Sequence, residues 1–82
     1  MWVHPRDQKI VGAALAAARR RSKVTQAELA RRLEKPQSFV SDFERGQRRI
    51  DLVEFVVIVR VLGADPTEIF AEIAGSISRN AS

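Results

Sequence analysis

The stretch Thr25-Gln26-Ala27-Glu28-Leu29-Ala30-Arg31-Arg32-Leu33-Glu34-Lys35-Pro36-Gln37-Ser38-Phe39-Val40-Ser41-Asp42-Phe43-Glu44-Arg45-Gly46 decides the fold of this chain. Thr25 followed three residues later by Glu28 has the spacing of a capping box, in which a hydroxyl and a carboxylate each satisfy an orphan amide of a helix start. Leu29, Ala30 and Leu33 then fall on one helical face. Pro36, with its fixed φ, opens a second helix. Its apolar stripe is Phe39, Val40 and Phe43, and Gly46 ends it. Only Glu34-Lys35 separates the two helices, so the chain must turn sharply there, and Ala30 is small where they should cross closely. The second helix is left with Gln37, Ser38, Ser41 and Asp42 facing outward, and Arg45 at its end.

Outside this stretch three more helices are expected and no strand. The first runs from about Asp7 to Arg21. It is rich in alanine, the best helix former, with Val11, Leu15 and Ala18 on one face; Gly12 is a small cost. The fourth starts at Asp51, with Glu54 completing another capping box, and runs to Leu62 before Gly63. The fifth opens with Asp65-Pro66-Thr67-Glu68, which joins an N-cap, a first-turn proline and a capping glutamate, and it carries Ile69, Phe70 and Ile73. Glu28, Glu54 and Glu68 are thereby read as capping residues. The expected organisation is an N-terminal extension over 1–6, one all-α, compact five-helix domain over 7–74, and a tail frayed from Gly75 over 75–82.

With 82 residues, the chain buries only about 60% of its unfolded surface, so its core must be economical. It has no cysteine, which removes disulfides and thiolate metal sites. His4 is the only histidine and lies near a terminus. A metal cluster or a histidine-based triad therefore has no raw material, and neither a catalytic residue, a metal nor a cofactor is expected. Charge is uneven. Residues 19–49 hold ten basic side chains against four acidic ones, or +6, while 50–82 hold two against five, or −3. A basic middle is the footprint of a polyanion-binding face. Lys9 and the apolar run to Ala18 imitate a signal peptide, but the run is weakly hydrophobic and the basic cluster follows it. No stretch approaches the roughly 20 apolar residues of a membrane span, and a cytoplasmic location is expected.

Two short amphipathic helices joined by a tight turn form a helix-turn-helix. From Ile10 to Phe70 the sequence resembles the Cro and phage-repressor, or XRE, family. The resemblance lies in Thr25-Gln26-x-Glu28-Leu29-Ala30, in Pro36-Gln37-Ser38-Phe39-Val40-Ser41, in Glu44-Arg45-Gly46, and in Leu62-Gly63 before Asp65-Pro66. It implies a repressor-like DNA-binding domain and a role for each matching residue. Gln37, Ser38 and Asp42 match base-reading positions. Gln26 matches a glutamine that contacts phosphate, and Gln47, Arg48 and Arg49 match the loop that touches the DNA backbone, next to Ser41 and Arg45. Arg19 and Glu44 match an ion pair joining the first helix to the third. Two positions depart from the pattern. Glu34 stands where the family often has glycine, and Asp42 puts a negative charge where a basic or neutral residue is usual.

The function implied is a sequence-specific transcriptional regulator, a repressor or autoregulator, that binds a palindromic double-stranded operator as a homodimer through its third helix. The fourth helix is apolar nearly all round. Phe55, Ile58, Val59 and Leu62 fit the core, leaving Val53 and Val57 for an isologous contact between copies. The competing reading is a protein-interaction module, such as an antitoxin, whose DNA binding is secondary and whose protein partner is unknown.

Overall fold

The computed structural model describes residues 3–78. It contains α1 (Pro5–Arg21), α2 (Gln26–Leu33), α3 (Gln37–Glu44), α4 (Leu52–Val61) and α5 (Pro66–Ser78), with no strand among the described residues. α1 lies against α3 and α5, while α2 packs on α3 and α4, so α3 is held from both sides. Leu15, Leu29, Val40, Phe43, Ile58 and Val59 form the fully buried centre, and no polar or charged residue among the described ones is buried with them.

The helix starts show which local signals survive competition. At α4 the capping box is complete: Glu54 N–H donates to Asp51 Oδ1 at 2.7 Å, and Asp51 N–H donates to Glu54 Oε1 at 3.0 Å. At α2 only half of the expected box forms. Thr25 Oγ1 accepts from Glu28 N–H at 3.0 Å, but the Glu28 carboxylate turns to Arg31 and Arg32 instead of the Thr25 amide. Two guanidiniums one turn ahead attract a carboxylate more strongly than one neutral N–H does. Asp65 alone caps α5, accepting from Thr67 N–H at 2.9 Å without a return bond from Glu68. Pro36 is the N-cap of α3, with ψ at 154°, and does not sit in the first turn as expected.

Both ends of the domain differ from expectation. α1 begins at Pro5, inside the segment assigned to the 1–6 extension, because His4 Nδ1 accepts from Arg6 N–H and caps the helix. α5 continues through Gly75 to Ser78, so the supposed tail starts as helix. Ile77 extends the stripe of Ile69 and Ile73 by one turn and packs on the core. The remainder of that tail, 79–82, lies outside the described residues.

Two phenylalanines assigned to apolar stripes are not buried. Phe39 is half-buried, one 100° step around α3 from the fully buried Val40, with its ring edge-on to Phe43. Phe70 is 54% exposed on α5. On α4, Phe55, Ile58, Val59 and Leu62 are buried, whereas Leu52, Val53 and Val57 are 69%, 73% and 48% exposed.

Gly12, read from the sequence as a minor cost, is a point of closest approach. A Cβ there would lie 2.1 Å from the Phe43 carbonyl oxygen and 2.8 Å from that of Glu44. The helix backbones of α1 and α3 meet where no larger residue fits. Gly12→Ala is therefore expected to lower stability by about 2 kcal/mol or more, as overpacking does. Gly75→Ala, where a Cβ meets nothing within 4 Å, should instead stabilise α5 by up to about 1 kcal/mol, the propensity difference. Urea midpoints of the two variants should move in opposite directions.

Glu28 carries a pH signature. Hydrogen bonds from Arg31 and then Arg32 hold its carboxyl down at about 2, below its ordinary 4.5. A carboxyl depressed in the folded state contributes stability that is complete above the unfolded value and is lost as pH falls through the folded one. The Glu28 contribution should thus fade between about pH 4.5 and pH 2. Glu28→Gln should flatten that part of a plot of urea midpoint against pH, and an unchanged plot would remove Glu28 from the acid response.

Candidate nucleic-acid interface

The turn between α2 and α3 sets the site. Glu34 ends α2 in the left-handed conformation, φ 57° and ψ 43°, and Lys35 N–H donates to Ala30 O at 3.0 Å. The glutamate therefore takes up the conformation that favours glycine, at a cost on the order of 1 kcal/mol, and the turn is retained. Val40 and Phe43 anchor α3 in the core, which turns Gln37 and Ser38 fully outward and leaves Ser41 and Asp42 half-exposed. Eight residues make a rod about 12 Å long, comparable to the width of a B-DNA major groove.

Each candidate side chain has a definite setting. Gln37 Nε2 donates to Gln26 Oε1 at 3.4 Å. The Ser38 hydroxyl has no hydrogen bond among the described residues, while Ser41 Oγ donates to the Ser38 carbonyl at 3.2 Å. Asp42 pairs with Arg45 at 2.7 Å, and Arg45 also reaches Gln47 Oε1 at 3.4 Å. The negative charge that looked out of place on α3 thus carries its own counter-ion. Arg48 lies over the Phe39 ring, 4.5 Å from its centroid, and forms a two-pronged pair with Glu54 at 3.0 and 3.2 Å. That pair raises the guanidinium pKa further and lowers the Glu54 carboxyl, with the Asp51 amide as the next contributor to Glu54. The Arg49 side chain is exposed and has no hydrogen bond or ion pair among the described residues.

Arg19 and Glu44 meet. Arg19 Nε and Nη2 bond the two carboxylate oxygens at 2.7 and 3.1 Å, and Nη1 bonds the Val24 carbonyl at 3.0 Å. Their side chains are 12% and 7% exposed. Glu44 Oε1 also accepts from Gln26 Nε2 at 2.8 Å. Gln26 is thereby tied to Glu44 on one side and to Gln37 on the other.

Three features escaped the sequence reading. The stacking of Arg48 on Phe39 and its pairing with Glu54 join residues that share no helical period, so no spacing announces them. The bond from Gln26 to Glu44 spans two helices. Val53 and Val57 on α4 line an open apolar groove together with Leu33, Phe39 and Glu54, so the groove borders this face.

The face offers amides, a hydroxyl and a paired carboxylate in the centre, with guanidiniums on its flank. Such a surface reads an array of hydrogen-bond donors and acceptors bordered by negative charge. No group of three or more histidine, aspartate or glutamate side chains that could hold a metal ion occurs among the described residues.

Relatives share this architecture. A helix-turn-helix domain family matches residues 10–70. Among solved structures, an XRE-family like protein from Pseudomonas syringae pv. tomato is 36% identical, with a TM-score of 0.77, covering 88% of each chain. The restriction-modification controller protein C.AhdI from Aeromonas hydrophila is 31% identical at a TM-score of 0.71, over 79% of this chain and 98% of its own. The clp gene regulator ClgR from Corynebacterium glutamicum is 30% identical at 0.79, over 87% and 92%. No curated protein sequence matches. With the family match spanning most of its length and the helix-turn-helix geometry in place, this chain belongs to the helix-turn-helix family and, within it, to the regulators of XRE type.

Proposed function

We propose that this protein is a cytoplasmic, non-enzymatic transcriptional regulator, a repressor or autoregulator, that binds a palindromic operator as a homodimer. One observation carries the reading: α3 is anchored by Val40 and Phe43 with Gln37, Ser38 and Asp42 outward and Arg45, Arg48 and Arg49 following it. In this reading α3 lies in the major groove. Gln37 and Ser38 read base edges, and Asp42, steadied by Arg45, accepts from a cytosine amino group. Gln26, Ser41, Arg45, Gln47, Arg48 and Arg49 hold the phosphates on either side. Two of the relatives, a gene regulator and a restriction-modification controller protein, are in keeping with control of transcription.

The homodimer rests on the unburied face of α4. Leu52, Val53 and Val57 together expose more apolar surface than a helix with one buried face requires. A two-fold axis there gives a self-complementary contact and doubles the base contacts of a single small module. Two recognition helices would then enter successive major grooves about 34 Å apart.

Selection from random duplex DNA should return an inverted repeat. Recovery of no preferred sequence, with binding insensitive to salt, would point instead to a protein adaptor. For the wild type, log affinity should fall linearly with log salt. Arg49→Ala should lower that slope by about 0.9, the value of one phosphate contact, and weaken binding evenly across sequences. An unaltered slope would take Arg49 off the DNA. Val57→Glu should shift sedimentation from dimer to monomer and reduce operator affinity on the order of tenfold or more, through lost symmetry. A wild-type protein that stays monomeric at high micromolar concentration would overturn the dimer.

A further inference from the structure

We infer that the cleft between α1 and the loop after α3 is a phosphate seat, in which Gln8 and Lys9 of α1 join Arg49 of the loop around one phosphate of the DNA backbone. The inference rests on the reading that α3 and its loop meet DNA, and it adds α1 to that contact.

The cleft has a volume of about 110 Å³. Gln8, Val11 and Gly12 line it from α1, and Gly46, Arg49 and Ile50 line it from the loop. Glycine on each side lets the two walls come close. At Gly12 a side chain would meet the Phe43 carbonyl. At Gly46, with φ at 76°, a Cβ would lie 2.9 Å from Lys9 Cγ and 3.1 Å from Lys9 Cα. The Lys9 stem therefore lies against the loop, while the residue as a whole is exposed and its ammonium stays in solvent beside it.

The donors gathered here are uncommitted. The side chains of Gln8, Lys9 and Arg49 have no hydrogen bond or ion pair among the described residues, and the main-chain N–H groups of Arg49 and Ile50 have no acceptor there. Elsewhere on the molecule Arg19, Arg31, Arg32 and Arg45 are each held by a carboxylate. No carboxylate lines this cleft, and Asp7, next to Gln8 in sequence, is not part of its wall. Gln8 is half-buried, so its amide has given up part of its water without gaining a partner, a cost that a ligand oxygen would relieve. Two positive charges and several N–H donors, with no acidic group among them, suit a ligand that only accepts. A phosphodiester, with its charged oxygens, is such a ligand. Its source follows from position: Arg48 borders the same cleft, in the loop that comes directly after the reading helix.

The test pairs side chains with single phosphates. The operator returned by selection is synthesised with a neutral methylphosphonate at one backbone position at a time. At one position the wild type should lose affinity on the order of tenfold, as for a lost hydrogen bond to a charged group. Lys9→Gln and Arg49→Ala should lose far less at that same position, and Gln8→Met should fall between them and the wild type. The salt slope of Lys9→Gln should drop by about 0.9, with base preferences and urea midpoint unchanged. A Lys9→Gln protein that keeps the wild-type penalty at every phosphate would overturn the seat and leave Lys9 a solvated surface charge. Coupling of Lys9 and Arg49 to different phosphates would overturn it too. Inorganic phosphate is also titrated into the free protein, against chloride at equal ionic strength. Shifts of the Arg49 and Ile50 amide resonances, without any coupled backbone position, would assign the cleft to a free phosphate compound and overturn DNA as its occupant. Wild-type protein that binds no duplex would instead overturn the DNA-reading function beneath the inference.

Discussion

The contact between α1 and the last turn of α3 is the constraint on which the rest depends. At Gly12 the backbones touch, with the Phe43 and Glu44 carbonyls where a side chain would be. A little further along α1, Arg19 grips the Glu44 side chain with two bonds and reaches the Val24 carbonyl with a third nitrogen. One residue of α3 is thus held by its main chain and by its side chain at once. Taking a carboxylate and a guanidinium out of water is costly, and only good geometry with all other polar atoms satisfied offsets it. Here the geometry is two-pronged, a third guanidinium nitrogen bonds the Val24 carbonyl, and the carboxylate accepts once more, from Gln26. Such a pair is a modest source of stability. Its larger effect is to exclude other placements of α3, since any sliding would strand a charge.

A rigid α3 has consequences for recognition. Ordering side chains on binding costs free energy for each rotamer-rich group immobilised. In this protein much of that ordering has occurred within the fold. Arg48 is stacked on Phe39 and paired with Glu54, Asp42 is paired with Arg45, and Gln26 and Gln37 are bonded to each other. The same pairings temper the basic stretch. Arg31 and Arg32 share Glu28, and Arg19 is committed to Glu44. Several of the basic side chains over 19–49 are therefore held in ion pairs, while the stretch keeps its net positive charge for attraction to phosphate.

Much of the fold was legible because its signals are local. The Asp51 and Glu54 box, the Thr25 cap, the alanine-rich α1 and the apolar steps of α3 and α4 each depend on residues within one turn of one another. What was not legible depends on partners far along the chain or on competition among near ones. Glu28 has the spacing of a box, yet Arg31 and Arg32 outbid the Thr25 amide. Phe39 has the spacing of a core residue, yet Val40 and Phe43 take the buried side of α3 and Phe39 lies at its edge, under Arg48. Gly12 carries no sign of its role, because a glycine needed for close approach and one that merely weakens a helix read alike. At the candidate site, residue types and their outward orientation followed from the helical period, whereas the bonds linking Gln26 to both Glu44 and Gln37 required the crossing of α2 and α3.

The start of α4 is where the two surfaces of the molecule come together. Glu54 accepts from the Asp51 amide, which fixes the first turn of α4, and its same carboxylate holds Arg48 in the loop after α3. Beside it, Leu52 and Val53 are the most exposed apolar side chains of that helix. The loop that follows α3 and the exposed apolar face of α4 are thus tied to one turn of one helix. In a symmetric pair, the distance and angle between two α3 helices would be transmitted through α4, to whose first turn Arg48 is joined by Glu54. A palindrome of fixed spacing is what such a dimer could read, and an operator with one base pair inserted at its centre would displace one half-site by about 3.4 Å and rotate it by roughly a tenth of a turn.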